Sequence, residues 1–342
     1  MPDFLVAGVT GQDGALLAQE LLRRGFSVIG THRRFSPTSF WRLEEMGIVD
    51  QIRLIEYEVG SPLGLQSALM RMKPIAAFFT VGDSSTASSA SSPGRLMNTN
   101  ASGCAEQIEV LRAVSPETVG VFFSSSEVFG YGESPGELRD ESSPRRPSNP
   151  YGVSKVALGE LVRFYRENEG LKLFEAILFP HESYFRGSGF LVKKVVRTMS
   201  RWYLDGYRED LPRFGSLTST RDWGSASEYM GWLIDLALTG RPDSYVIGTG
   251  RSHSVWDVFQ IVGDVLGFEL VQEFSEGFLK IAESSTGKTV ALAEAKAMAN
   301  VGHGPIGSLR KLRGELSTPE PTPLRSVLAE MVSREISRAT RA

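Results

Sequence analysis

A chain of 342 residues with 41% hydrophobic side chains is long enough to bury a sizeable core, as one large domain or two unequal lobes. Its net charge of -3, with both signs mixed, leaves no footprint for nucleic acid or a membrane surface, and no apolar run approaches the ~20 residues of a spanning helix. The single cysteine, Cys104, excludes an intrachain disulfide and suits a reducing compartment, so a cytoplasmic protein is expected.

An apolar strand at residues 4–7 runs into Gly8-Val-Thr-Gly11-Gln-Asp-Gly14, and residues 15–24 read as a helix closed by Gly25. Glycines at this spacing permit a tight turn and a close approach of backbone to a pyrophosphate, while the helix start offers N–H groups and a positive dipole end. Strand-like runs at 27–30, 52–56, 76–80, 119–124 and 173–179 then alternate with helical patterns. That alternation predicts an α/β fold: a Rossmann-type doubly wound parallel sheet, with a smaller α/β substrate-binding lobe to follow. The second strand leads into Thr31-His32-Arg33-Arg34, which has no acid to meet ribose hydroxyls. Two guanidinium groups there suit the 2′-phosphate of NADP, although a solvated basic loop has the same composition. The serine-rich stretch 84–92 reads as a loop or helix entrance, and Cys104 falls in a helix expected at 100–112, where packing explains it.

The strand at 119–124 ends in Ser125, Ser126 and Glu127, and catalytic groups of open α/β sheets gather at that end. On an extended segment Ser125 and Glu127 fall on the same side. Tyr151 and Lys155 follow Pro150 on a helix predicted to run to about 165, and a spacing of four puts them on one face. An ammonium beside a phenol favours the phenolate, so Tyr151 is expected to titrate well below its free value of about 10. By themselves, Tyr-x-x-x-Lys also describes a surface pair, and Glu127 also reads as a cap on the next turn.

Beyond residue 180 the pattern changes. A loop with Arg186-Gly187 leads to a basic amphipathic helix at 192–203, with Lys193, Lys194 and Arg197 read as solvated. A helix at 227–238, a strand at 245–250, a Pro-rich stretch at 318–323 and a closing helix at 324–338 complete the chain. The expected division is 1–180 plus about 223–255 for the nucleotide domain, and about 181–222 plus 256–342 for the substrate lobe.

Six motifs together resemble the extended short-chain dehydrogenase/reductase family, and within it the GDP-mannose 4,6-dehydratases. They are the glycine turn, Arg33-Arg34, Ser124-Ser-Ser-Glu-Val-Phe-Gly130, Pro150-Tyr-Gly-Val-Ser-Lys155, His181-Glu-Ser183 and Arg221-Asp-Trp-Gly224. The resemblance spans about residues 1–270. It implies that Ser125, Glu127, Tyr151 and Lys155 are catalytic. It implies NADP binding by Gly8, Thr10, Gly11, Gln12, Asp13 and Gly14, with Arg33, Arg34, Tyr151, Lys155 and His181. It further implies substrate contacts from Ser126, Arg186, Lys194 and Arg221, no metal, a late strand completing the sheet, and a homodimer or homotetramer.

The chemistry so implied is transient oxidation at C4 of a GDP-linked sugar, loss of water across C5 and C6 through Glu127, and hydride return to C6. Several positions depart from the family pattern. Val59-Gly60-Ser61 and Thr80-Val81-Gly82-Asp83 replace its residues after the third and fourth strands, and Pro180 replaces an Asn that helps hold the sugar. Glu283 to Thr289 lacks the family's Arg-Pro-x-Glu. These changes point to an unusual sugar, such as a heptose. Two other readings stay open: an NADP-dependent epimerase or 4-keto reductase, which has no need of Glu127, and a non-catalytic NADP-binding scaffold or sensor.

Overall fold

The computed structural model describes residues 3–33, 40–84, 91–132, 136–206, 211–275, 277–295 and 303–340. In chain order the first elements are β1 (Asp3–Ala7), α1 (Gln12–Arg23), β2 (Ser27–His32), β3 (Ile52–Glu56), α2 (Leu63–Met72), β4 (Ala76–Phe79) and α3 (Gly103–Val114). Next come β5 (Val119–Ser125), α4 (Pro150–Glu169), β6 (Leu173–Leu178), α5 (Leu191–Asp205), β7 (Arg213–Phe214), α6 (Ala226–Thr239) and β8 (Ser244–Ile247). The chain then forms α7 (Val255–Leu266), β9 (Leu270–Ser275), β10 (Phe278–Glu283), β11 (Thr289–Glu294) and α8 (Leu324–Ala339).

Seven strands form one parallel sheet in the order β8-β6-β5-β4-β1-β2-β3. The chain winds outward one way through β2 and β3, then crosses back to β4 and winds the other way. The reversal lies between β1 and β4, and in such sheets a crevice opens there beyond the strands' carboxyl ends. Alternation in β1 shows why both faces are covered. Phe4 and Val6 join the core under α1 and α6, whereas Leu5 and Ala7 join the core under α2, α3 and α4. Strands β4 and β6 are buried along their whole length; β4 is an unbroken apolar run, and in β6 the buried Glu175 accepts from Arg145 and Ser244. The expected late strand is β8, in parallel register with β6 from Ser244 against Glu175 to Ile247 against Leu178.

A second core gathers α5, α7, α8 and an antiparallel sheet of β9, β10 and β11, to which β7 adds in parallel. Val192, Val195, Val196 and Met199 supply the apolar stripe of α5 at helical spacing. The stretch from 270 to 294 is this three-stranded meander. Glu283 to Thr289 is its β10–β11 turn, in which Glu283 accepts from the hydroxyls of Ser285 and Thr286. The helix expected at 100–112 begins with a π turn over Asn98–Ser102, and Cys104 is buried in the sheet core as packing requires. Among the described residues no helix is long and apolar enough to cross a membrane.

Candidate active site

A cleft of about 590 Å³ opens at the carboxyl ends of β1, β4, β5 and β6. Its floor at one side is the turn from β1 into α1. Gly8 adopts φ 87°, a left-handed conformation that favours glycine, and a Cβ on Gly14 would lie 2.3 Å from the Gly8 carbonyl oxygen. The turn therefore packs tightly under the helix start. Gly11 caps α1 without a side chain, so no side-chain acceptor covers the first-turn amides where Gly11, Gln12 and Asp13 line the cleft. That arrangement fits the diphosphate of a dinucleotide.

Ser125 is the last residue of β5, and Ser126–Val128 forms a 3-10 turn. This corrects the expectation of an extended Ser125–Glu127 segment. The Ser125 hydroxyl accepts from the Glu127 N–H at 3.3 Å, so Ser125 caps the turn and leaves the Glu127 carboxylate free for side-chain contacts. Glu127 Oε2 accepts from Asn149 Nδ2 at 2.6 Å, and Oε1 accepts from the Tyr131 hydroxyl at 3.3 Å. Tyr131 in turn accepts from Arg221 at 2.8 Å, with the guanidinium 4.5 Å from its ring centroid. Next to Arg221, buried Asp222 accepts from the N–H groups of Thr249, Gly250 and Gly307, which pins the loop beyond β8.

Helix α4 starts with Pro150 in the first turn, as the sequence predicts, and Asn149 is its N-cap. Tyr151 and Lys155 are both buried at the cleft wall, 8% and 5% exposed. Lys155 Nζ donates to the Phe123 carbonyl at 2.6 Å and lies 5.8 Å from the Tyr151 ring centroid. Behind it, Asn100 bridges Ser154 and the backbone of Asp83, tying α4 to the loop after β4. Burial pushes the Tyr151 phenol up to about 12, partly offset by a hydrogen bond from Ser125. The expected lowering by Lys155 is thus not found. The ammonium is held at the end of β5 and not at the phenol, and burial brings Lys155 itself down to about 8.

His181 sits opposite the α1 start and meets Asp13 at 3.0 Å, while its other ring nitrogen meets the Phe179 carbonyl at 2.7 Å. Burial opposes both charges, yet the mutual attraction and hydrogen bond prevail. They hold Asp13 well below the usual carboxylate range and raise His181 above its ordinary value. Gln12 adds a second tie, accepting from Ser183 at 2.9 Å. Thus Asp13 and His181 form a structural pair in the cleft wall.

The cleft brings Ser125, Ser126, Glu127, Tyr151 and Lys155 together with Gln12, His181, Arg186 and Arg221. Gly8 and Thr10 lie in the turn itself and Gly14 in the first turn of α1, none of them on the lining. Arg186 rests over the Phe190 ring at 3.7 Å and 3.8 Å from Glu182. Pro180 lines the cleft where the family has Asn, and its carbonyl accepts from Gly224. Lys194 is the exception among the expected substrate ligands. Its ammonium donates to the Arg213 carbonyl at 2.5 Å over the Phe214 ring, in a side recess outside the cleft. Here α5 turns Lys193 inward to an ion pair with Glu335, so the neighbouring position faces away. Arg33 is exposed at the end of β2, and Arg34 lies outside the described residues. Sequence reasoning missed Arg42, which bridges the Thr10 and Phe185 carbonyls at 3.0 and 2.8 Å, and it missed Asn149 and Tyr131. Each is tied into the site by a partner distant in sequence: Thr10 and Phe185 for Arg42, Glu127 for Asn149, and Arg221 for Tyr131.

The same architecture is found in known proteins. A structure titled dTDP-glucose 4,6-dehydratase from Bacillus anthracis in complex with NAD superposes with a TM-score of 0.78 at 16% identity, covering 99% of this chain and 97% of its own. That likeness concerns the fold. A GDP-mannose 4,6-dehydratase of Vibrio cholerae is 28% identical over 98% of this chain and 94% of its own length. Another, from Yersinia enterocolitica, is 31% identical over 83% of this chain and 77% of its own. With residues 5–331 matched by the family model for GDP-mannose 4,6 dehydratase, the chain belongs to that family.

Proposed function

We propose that this protein is an NADP-dependent sugar-nucleotide 4,6-dehydratase, working as a homo-oligomer on a GDP-linked sugar. The observation that carries the reading is the placing of Glu127 in the same cleft as Ser125, Tyr151 and Lys155. An alcohol dehydrogenase or epimerase of this fold needs the last three but has no task for a carboxylate beside them.

Bound at the α1 start, a nicotinamide cofactor would supply reversible hydride acceptance, from C4 at the outset and back to C6 at the end. A solvent-derived proton enters at C5 with that return, so that the net change is loss of one water. Tyr151 takes the proton of the sugar C4 hydroxyl, while Ser125 holds that oxygen. Lys155, fixed at the Phe123 carbonyl, adds positive charge to the same wall and favours the deprotonated oxygen. Once C4 is a ketone, the C5 proton is acidic, and Glu127 is the base that removes it. The C5–H electrons form the C5–C6 double bond as the C6–O bond breaks, and Glu127 returns the proton to the departing hydroxyl, which leaves as water. Assistance of this kind contributes roughly a hundredfold to ten-thousandfold. Arg221 and Arg186, at the cleft wall, are the cations available to a sugar-nucleotide diphosphate. Arg33, the residue that follows β2, favours a 2′-phosphate.

Incubating the protein and NADP with GDP-, UDP- and dTDP-linked hexoses and heptoses tests this reading by mass spectrometry. A product lighter by one water is expected, preferentially from a GDP-linked sugar. Isomerisation without mass change, or net consumption of reduced cofactor, would instead identify an epimerase or reductase.

A further inference from the structure

Asn149 joins two hydrogen bonds that point in opposite senses. Its Oδ1 accepts from the Gly152 N–H at 2.8 Å, and its Nδ2 donates to Glu127 Oε2 at 2.6 Å. Exchanging the amide's oxygen and nitrogen would set an NH₂ group against the Gly152 N–H, two donors facing each other. The helix start therefore dictates which end of the amide faces Glu127. That end has only donors, so it favours the carboxyl oxygen that carries no proton, the better acceptor. On the other side, Tyr131 offers a hydroxyl to Oε1 at the longer distance of 3.3 Å. A hydroxyl both donates and accepts, and it can turn to suit Oε1 with or without a proton.

From this asymmetry we infer that Asn149 is the positioning residue of the dehydration step, resting on the dehydratase reading above. It fixes Oε2 as the proton-free oxygen and leaves Oε1 as the atom that takes the C5 proton and passes it to the C6 hydroxyl. Tyr131, held by Arg221 at 2.8 Å, follows the change at Oε1 by rotating its O–H. Because the N-cap of the helix that carries Tyr151 also orients Glu127, the two reacting groups share one anchor.

Asn149→Ser tests the assignment, since Ser keeps a good helix cap but has no amide to reach Glu127. Asn149→Asp keeps the cap as well and sets a carboxylate against Glu127. Circular dichroism and melting curves establish that each variant folds. The substrate is the sugar nucleotide that the wild type dehydrates fastest, in deuterated water. Single-turnover cofactor reduction reports C4 oxidation, and deuterium entry with water loss reports the Glu127 steps. For Asn149→Ser the expected result is elimination slowed about ten- to hundredfold, with C4 oxidation and KM nearly unchanged, as for a lost hydrogen bond to a charged group. Asn149→Asp is expected to be slower still. Equal loss in both partial reactions would reduce Asn149 to a helix cap, and normal elimination in Asn149→Ser would likewise overturn the assignment. A wild type that dehydrates no sugar nucleotide overturns the functional reading, and the assignment with it.

Discussion

Lys155 Nζ lies 5.8 Å from the centroid of the Tyr151 ring and donates to the carbonyl of Phe123 at 2.6 Å. The ammonium thus bonds the strand and not the phenol. Burial sets the two titrations far apart, with Lys155 down at about 8 and Tyr151 up at about 12. The ammonium is present below about 8, so kcat/KM in the free enzyme is expected to fall as pH rises through that value. Stability moves the other way. Between the folded value of about 8 and the ordinary 10.5, the unfolded chain holds a proton that the folded chain has released, so stability rises with pH. Thermal melts of wild type against Lys155→Met are expected to converge across that window, and activity unchanged on its alkaline side would contradict the assigned role.

The Asp13–His181 pair predicts a different profile. His181 is raised, so its contribution is full below its unfolded value of 6.5 and lost as pH climbs through the folded one. Asp13 is lowered, so its contribution is full above 3.8 and lost as pH falls through its depressed folded value. The destabilisation of His181→Gln, read as a difference in Tm from wild type, should peak between these two values and shrink above neutrality. A difference independent of pH would mean that packing, and not charge, holds His181.

Pro180 lines the cleft without a side-chain donor. A buried sugar hydroxyl left unpaired costs about 1 to 3 kcal/mol, so GDP-mannose is expected to be turned over poorly relative to a sugar with another polar pattern or an extra carbon. Pro180→Asn is expected to raise kcat/KM for GDP-mannose relative to the native substrate. Efficient, preferred turnover of GDP-mannose by the wild type would refute this.

The proposed preference for NADP places cofactor choice at Arg33 and Arg34, after β2. Replacing Arg33 and Arg34 together with neutral residues is expected to weaken NADP about tenfold or more, while NAD binding changes little. Calorimetric titration of both cofactors checks it, and equal affinity of the wild type for the two would sink the idea.

Much of this architecture is legible locally. The β1 run, the glycine turn and the α1 pattern are contiguous, and Pro150-Tyr151 with Lys155 one turn later declares both a helix start and a shared face. What the sequence hides depends on contacts across it. Glu127 sits on a 3-10 turn because Ser125 caps it, an alternative to strand that short polar side chains allow and periodicity does not register. Lys193 and Lys194 are adjacent cations with opposite fates, decided by Glu335 on α8, well over a hundred positions away. The lowering expected for Tyr151 fails because burial, a property of the assembled core, raises it while the Lys155 ammonium bonds elsewhere. The meander of β9 to β11 is hard to read because its outer strand buries only Leu270 and so carries no inward-outward alternation.

The most direct test of the account is a single-turnover comparison of wild type and Glu127→Gln with NADP and the preferred sugar nucleotide. For the wild type, product lighter by one water and carrying solvent deuterium at C5 is expected, with no net change in cofactor. Glu127→Gln is expected to lose water elimination by a hundredfold or more while still oxidising C4, so that reduced cofactor accumulates. Near-normal elimination by Glu127→Gln would make the carboxylate structural and contradict the dehydratase mechanism.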